Sequence, residues 1–293
     1  MVTLQNDSIK ICIKEHGAEL TSILNIKTNE EMLWQGDPAY WKRQSPILFP
    51  IVGSVWNNQY TYNGKRYAMS QHGFARDMDF SLIYKDEESV TFELKSSEET
   101  KKSYPADFIL QIGYKIIGSS IKIFWTVKNI GAENMHFQIG AHPAFNYKGF
   151  DPDADIQGFF SLLPVDFTYR RSTITQKGCI SDSIDEVKYD ELCIIPITKS
   201  TFNDDAIILE DSQATIVALL DANRTPYLRI TFDAPIVGLW SPAKDCYAPF
   251  VCIEPWYGRC DKVGYEGEFS DRDWVLHLKP NESFKTSYSI EIL

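Results

Sequence analysis

The chain has 293 residues, 44% hydrophobic and 24% charged, ordinary globular proportions that exclude wholesale disorder and a fibrous repeat. Its net charge of -11 repels phosphate-rich polymers, and no run of Lys and Arg could form a phosphate-tracking stripe, so nucleic acid is not an expected partner. The opening MVTLQNDSIKICIKEHG lacks a basic start and a long apolar run, which argues against a signal peptide, and no stretch reaches the length of a membrane span. The six cysteines (Cys12, Cys179, Cys193, Cys246, Cys252, Cys260) show neither a C-x-x-C pair nor metal-finger spacing, so free thiols in a cytoplasmic protein are the expectation.

In chain order, the first clear element is Ile9–Ile13, which alternates apolar and polar residues as a strand with one buried face does. Asp37-Pro38-Ala39-Tyr40-Trp41 opens with an N-cap residue and predicts a short helical turn. Asn63-Gly64 splits Gln59–Tyr62 from Lys65–Tyr67 in the manner of a type I′ hairpin. Ser89–Leu94, Ile112–Ile117 and Ile121–Val127 again have period two, with Gly118-Ser119 turning the last pair into a second hairpin. Tyr147–Gln157 reads as a long loop, and Ser183–Leu192 as a second short helical segment. Val251–Ile253 is an apolar strand that Glu254 closes, and Trp274–Leu276 with Phe284–Leu293 reads as a C-terminal hairpin. Strands thus recur every 8–12 residues or so without a linker or internal repeat, which predicts an all-β chain forming one domain over residues 1–293.

Two histidines stand in unusual company: His72 in Gln71-His72-Gly73-Phe74-Ala75-Arg76, and His142 in Gly140-Ala141-His142-Pro143-Ala144-Phe145. Glycine permits close backbone approach and Pro143 stiffens the exit from the strand, so both imidazoles are placed at strand-to-loop transitions, where sites are built. Alone, either histidine is equally a hydrogen-bonded structural residue, as are His16, His136 and His277. Glu254, wedged between an apolar strand and Pro255-Trp256-Tyr257, is expected to be partly desolvated, which raises a carboxyl pKa towards the range of a general base; the alternative is an ordinary surface ion pair. Trp56, Trp240, Trp256 and Tyr257 are candidate platforms for the C–H face of a sugar, although each is equally a core residue. Asp204 and Asp205 open an apolar strand and could be hydroxyl-binding carboxylates or simple turn residues.

His-Gly-Phe-x-Arg at 72–76, His-Pro-x-Phe at 142–145 and Glu-Pro-Trp at 254–256, in that order across nearly the whole chain, resemble the three motifs of the aldose 1-epimerase (galactose mutarotase) family. The segment Ser45–Gly53, followed by Tyr60–Tyr67, is most similar to its LacX-like branch. The resemblance implies an antiparallel β-supersandwich with an open sugar-binding cleft, interconversion of the α and β anomers of an aldose at C1, and neither a metal nor an organic cofactor. It further implies that Glu254 is the general base, His142 the general acid and His72 a second histidine polarising the sugar near its ring oxygen. One of Asp204 and Asp205, with Asp205 preferred, matches a sugar-binding aspartate, and Arg76, Trp240 and Trp256 join the substrate-binding set. The family's usual arginine after the glycine of the Leu-Phe-Pro segment is replaced here by Ser54, a contact that Arg76 or a neighbouring asparagine would have to supply.

The residue types suit this chemistry on their own terms. Exchanging anomers requires a base for the C1 hydroxyl proton and an acid for the ring oxygen, each contributing about 10²- to 10⁴-fold in rate, and needs no nucleophile. The expected partner is a small sugar, in a monomer or homodimer, with no membrane involved. Three rival readings stand beside this one. They are a weakly catalytic sugar-binding or sensing module, a two-histidine, one-carboxylate metal site on a cupin-like barrel, and a hexose-phosphate mutarotase, which would need a cluster of cations in the cleft.

Overall fold

The computed structural model describes residues 1–164, 168–188, 194–242 and 247–293. Strands make up 51% of the structure and helix 5%, and among the described residues every ladder between strands is antiparallel, in keeping with period-two patterning. Among the described residues no helix is long and apolar enough to cross a membrane.

Two large sheets dominate. One runs in the order Ile194–Ile197, Gly158–Leu163, Ile216–Leu220, Pro226–Phe232, Ser283–Ile292, Ser120–Asn129, Phe108–Ile117, Ser89–Lys95 and Ser81–Lys85. The other runs Cys179–Lys188, Thr168–Gln176, Ile207–Leu209, Ile236–Trp240, Phe250–Tyr257, Ile139–Ala141 and Ile47–Leu48, with Ala144–Asn146 also pairing with Phe250–Tyr257. Smaller sheets join Val2–Gln5, Ile9–Ile13, Leu20–Asn25 and Glu30–Glu31, the hairpin Gln59–Tyr62 with Lys65–Ala68, and Met135–Phe137 with Leu276–Leu278. Ile112, Ile121, Ile123 and Trp125 from the first sheet and Ile139, Val237, Leu239, Val251 and Ile253 from the second share one apolar core. Alternation then turns Phe250, Cys252, Glu254 and Trp256 to the opposite face of the second sheet, where two small apolar clusters flank Glu254, one holding Trp256 and the other Cys252 and Phe250. Phe250–Trp256 is consequently buried on both faces and reads in sequence as one apolar run.

The predicted hairpins are present: Asn63 and Gly64 both have positive φ (49° and 74°), as a type I′ turn requires, and Gly118 (58°) turns Phe108–Ile117 into Ser120–Asn129. Three expectations are corrected. The helical segment expected at Ser183–Leu192 is strand as far as Lys188, because Asp185 and Glu186 pair with Arg171 and Arg170 across the ladder; the rest of it lies outside the described residues. The expected C-terminal hairpin is absent: Leu276–Leu278 pairs with Met135–Phe137, while Ser283–Ile292 joins the large first sheet between Ser120–Asn129 and Pro226–Phe232. Finally, Glu254 does not end its strand, which runs on through Pro255 to Tyr257.

That continuation has a local cause. On one side of Phe250–Tyr257 the neighbouring chain is broken: Ala144–Asn146 pairs with Phe250–Cys252, Ile139 and Gly140 pair with Tyr257 and Trp256, and His142-Pro143 lies between them. Pro255, which has no N–H to donate, sits opposite the break, where no ladder bond is demanded of it on that side. Gly140 and Gly238, in the strands to either side of Trp256, make room for its ring: a Cβ at either position would come within 2.7 Å of the indole. Gly73 is similarly forced, with φ +72° and a hypothetical Cβ 2.2 Å from the Phe49 carbonyl oxygen.

Gly73→Ala should therefore lower the unfolding free energy by about 3 kcal/mol or more, left-handed strain adding to overpacking. Gly64→Ala has the same φ sign (+74°) but open space around it, and should cost about 1–2 kcal/mol. Urea unfolding of the two variants checks this, and equal losses would contradict the close-approach argument.

Candidate active site

The break in the ladder sets His142 directly across from Glu254, with Nε2 3.3 Å from Oε2. Both side chains are buried, Glu254 to 1% exposure and His142 to 8%. The imidazole is gripped on three sides: Trp41 stacks on it at 4.7 Å, Trp240 meets it edge-on at 5.4 Å, and His72 meets it edge-on at 5.5 Å.

His72 is held by the Ser45–Gly53 segment. Its N–H donates to the Gly53 carbonyl (2.8 Å), the Gly53 N–H donates to its Nδ1 (3.1 Å), and the Phe49 N–H donates to its carbonyl (3.2 Å). The residue pays for this with φ +67°, a strained backbone of the kind that clusters at functional sites. Because Nδ1 accepts a hydrogen bond, a neutral His72 carries its proton on Nε2.

These residues line one cleft of about 270 Å³, together with Trp41, Gln71, Arg76, Asp205, Ile208, Trp240 and Trp256. Arg76 is the cationic side chain among the described lining residues; its Nη2 donates to the Gln71 carbonyl (2.6 Å) and Nε lies 3.8 Å from Asp77 Oδ2. Burial lowers its pKa to about 10, so it stays protonated at neutral pH. Asp205, at the mouth with φ +70°, accepts the Ala206 N–H on Oδ1 (2.8 Å).

The electrostatics follow from burial. Desolvation pushes the Glu254 carboxyl well above the usual carboxylate range, partly opposed by the Trp256 indole N–H and reinforced by Asp205. Desolvation, with Arg76 and Arg43 adding repulsion, lowers His142 to about 3. His72 is likewise held well below its ordinary value, by burial first and then by His142 and the two arginines. Burial thus favours the neutral form of all three groups, the carboxyl and both imidazoles.

Four of the five buried side-chain polar atoms without a hydrogen-bond partner among the described residues belong to this cleft: Arg76 Nε, His142 Nδ1, Glu254 Oε2 and Trp256 Nε1. Buried polar groups are otherwise almost always paired, so the collection of four unpaired atoms in the side chains of one cleft marks it as the candidate site.

The sequence-predicted residues divide clearly. His72, His142, Glu254, Arg76, Asp205, Trp240 and Trp256 meet at the cleft. Asp204 does not line it and lies 3.6 Å from Arg171 Nη2. Trp56 lines a separate cavity under Lys177, and the Tyr257 hydroxyl is hydrogen-bonded to Thr286 on the core side. Ser54 is buried behind the lining, its carbonyl accepting the Asp261 N–H (2.9 Å). Sequence reasoning missed Trp41 and Gln71, which also line the cleft. Trp41 had a usable signal, since the Asp37-Pro38 turn expected there forms, with Asp37 accepting the Trp41 N–H (2.9 Å), and it presents that ring to His142.

An antiparallel supersandwich with a carboxyl–imidazole pair recessed in an open cleft is the galactose mutarotase-like fold, and the solved structures agree. The chain superimposes with a TM-score of 0.93 on the galactose mutarotase related enzyme of Lactobacillus acidophilus, at 34% identity covering 100% of this chain and 97% of that one. The TM-score is also 0.93 with a galactose mutarotase-like protein from Lactobacillus casei, at 30% identity and full coverage of both. The family model described as aldose 1-epimerase matches residues 1–290, and the plasmid-encoded protein LacX of Lactococcus lactis is 32% identical over 100% of this chain and 99% of its own length. The chain belongs to the aldose 1-epimerase family.

The buried carboxyl has a stability signature. Its folded pKa lies above the unfolded value of about 4.5, so the stability it contributes is complete below that value and is lost as pH rises above it. His142 runs the other way: its folded value of about 3 lies below the ordinary 6.5, so its contribution is present above 6.5 and is lost as pH falls towards 3. Glu254→Gln should therefore melt higher than wild type near pH 7, with the gap narrowing as pH falls to about 4.5. Calorimetric melting across that range checks this, and a variant less stable than wild type at every pH would contradict the desolvation account.

Proposed function

We propose that the protein is a cofactor-independent aldose 1-epimerase acting in the cytoplasm, with the whole chain as one domain. The observation that carries the reading is the convergence of Glu254, His142, His72 and Arg76 with Trp41, Trp240 and Trp256 on one cleft, because a sugar offers hydroxyls to the polar groups and apolar C–H faces to the flanking tryptophans. The unpaired cysteines Cys12, Cys179, Cys252 and Cys260 support a reducing compartment, while Cys193 and Cys246 lie outside the described residues. The shared core, running from Val2 to Ile292, supports the single domain.

Glu254 takes the C1 hydroxyl proton and His142 delivers a proton to the ring oxygen; the C1–O5 bond breaks, the aldehyde rotates about C1–C2, and the reverse transfers close the other anomer. The neutral pair, carboxylic acid plus imidazole, holds the same number of protons as the working pair, carboxylate plus imidazolium. Moving one proton across the 3.3 Å gap arms the site without exchange with solvent, and sugar hydroxyls that solvate both charges favour that form. His72, a donor through Nε2, polarises the ring-oxygen side, and Asp205 and Arg76 hold hydroxyls at the mouth. An unphosphorylated aldose is the favoured substrate, because one guanidinium lines the cleft among the described residues where a phosphate would call for several cations.

Glu254→Gln and His142→Asn should each lower kcat by about 10²- to 10⁴-fold with KM changed far less, as expected for groups acting in the transition state. His16→Asn, at an exposed ion pair with Asp79 outside the cleft lining, should leave kcat unchanged. Loss of optical rotation from a fresh α-anomer measures all three, and near-normal turnover by Glu254→Gln would remove Glu254 from the role of base.

A further inference from the structure

Cys252 lies one alternation before Glu254 on the same face of the strand and is fully buried, yet the proton transfers leave it without a task. His142, Cys252 and Glu254 bring a ring nitrogen, a thiol sulfur and a carboxylate oxygen within 4.8 Å of one another, and all three side chains are buried. We propose that these three side chains form a binding site for a thiophilic divalent cation of the Zn2+ type, and that its occupation inhibits the enzyme.

The donor set is one nitrogen, one sulfur and one oxygen, the mixture that suits zinc with a fourth position open to water. Bond lengths of about 2.0–2.1 Å to imidazole and 2.0–2.2 Å to carboxylate put the edge of a tetrahedron between them at about 3.4 Å. The observed Nε2 to Oε2 separation of 3.3 Å matches that edge with no hydrogen bond holding it, since Glu254 Oε2 has no hydrogen-bond partner among the described residues. The sulfur needs to close by roughly 1 Å, within reach of a side-chain rotation.

Charge balance also favours the site. Binding expels the thiol proton of Cys252 and the carboxyl proton of Glu254 to solvent, so Zn2+, one thiolate, one carboxylate and one neutral imidazole sum to zero in a buried pocket. His72, Arg76 and Asp205 face the same space, the arginine disfavouring the free cation and the aspartate favouring it. The cation enters through the cleft that His142 and Glu254 line, and once bound it holds the base through one oxygen and the acid through Nε2, leaving neither free to move a proton.

Inhibition rests on the epimerase reading; metal binding does not, and the test separates them. Titrating the full chain with Co2+ should give a stoichiometric thiolate-to-cobalt charge-transfer band in the near ultraviolet with tetrahedral visible bands, and Zn2+ should displace both. Cys252→Ala and Cys252→Ser should lose the charge-transfer band and bind Zn2+ at least about 100-fold more weakly, while sugar turnover stays near wild type and becomes insensitive to Zn2+. Should a Cys252 variant fold poorly, His142→Asn, which keeps the thiol, must weaken Zn2+ binding to a similar degree. Absence of the band in wild type, or its persistence in Cys252→Ala, overturns the proposal. A Cys252-dependent band in a protein that turns over no aldose would uphold the metal site and overturn the epimerase reading instead.

Discussion

The site depends on a discontinuity in a β-ladder. A continuous strand beside Phe250–Tyr257 would pair with Glu254's segment throughout and leave no place for an imidazole beside the carboxyl. The chain instead interrupts itself at His142-Pro143 and resumes at Ala144, so the strand carrying Glu254 has two partners on one side with a histidine between them. Two prolines make the gap tolerable, Pro143 within it and Pro255 opposite it, because neither has an N–H for a ladder to satisfy. The alternation of the same strand sends Val251 and Ile253 into the sandwich and Glu254 and Trp256 into the cleft, so the core fixes the carboxyl in position.

Everything electrostatic follows from that placement. A carboxyl at 1% exposure cannot be ionised cheaply, and an imidazole at 8% cannot be protonated cheaply, so burial favours the neutral form of both. Arg76 and Arg43 oppose an imidazolium from the rim, while the Trp256 indole N–H stabilises carboxylate from within the sheet. Strain accompanies the arrangement: His72 and Asp205 both hold left-handed backbones, and His72 is kept there by hydrogen bonds to Gly53 and Phe49. Desolvated acid, unpaired polar atoms and strained backbone all cost stability, and they collect at one place, as is common at functional sites.

Much of this was legible in the sequence where the signal is local. Asn63-Gly64 and Gly118 announce their hairpins because turn geometry admits few residues, and period-two runs such as Ile121–Val127 announce strands buried on one face. The three motifs carrying His72, His142 and Glu254 were recognisable because each couples a polar side chain to glycine or proline, a pairing that backbone geometry demands. The missed features are non-local. The strand runs past the end expected at Glu254 because nothing near that residue in sequence reveals that the neighbouring chain is broken at His142-Pro143. Trp274–Leu276 was joined to Phe284–Leu293 by proximity, although the former segment pairs across to Met135–Phe137. Asp204 and Asp205 differ by one residue of register, and the left-handed φ of Asp205 that turns it to the cleft is invisible in composition.

The most direct test of the account is anomer exchange itself. Magnetisation transfer between the α and β C1 protons can be measured by NMR with the wild-type protein, across hexoses, pentoses and hexose phosphates, against buffer alone. The account predicts exchange well above the buffer rate for an unphosphorylated aldose, and weaker acceleration for phosphorylated ones. Exchange at the buffer rate for every sugar in the panel, from a protein that binds one of them, would show that the Glu254–His142 pair does not move protons on a sugar.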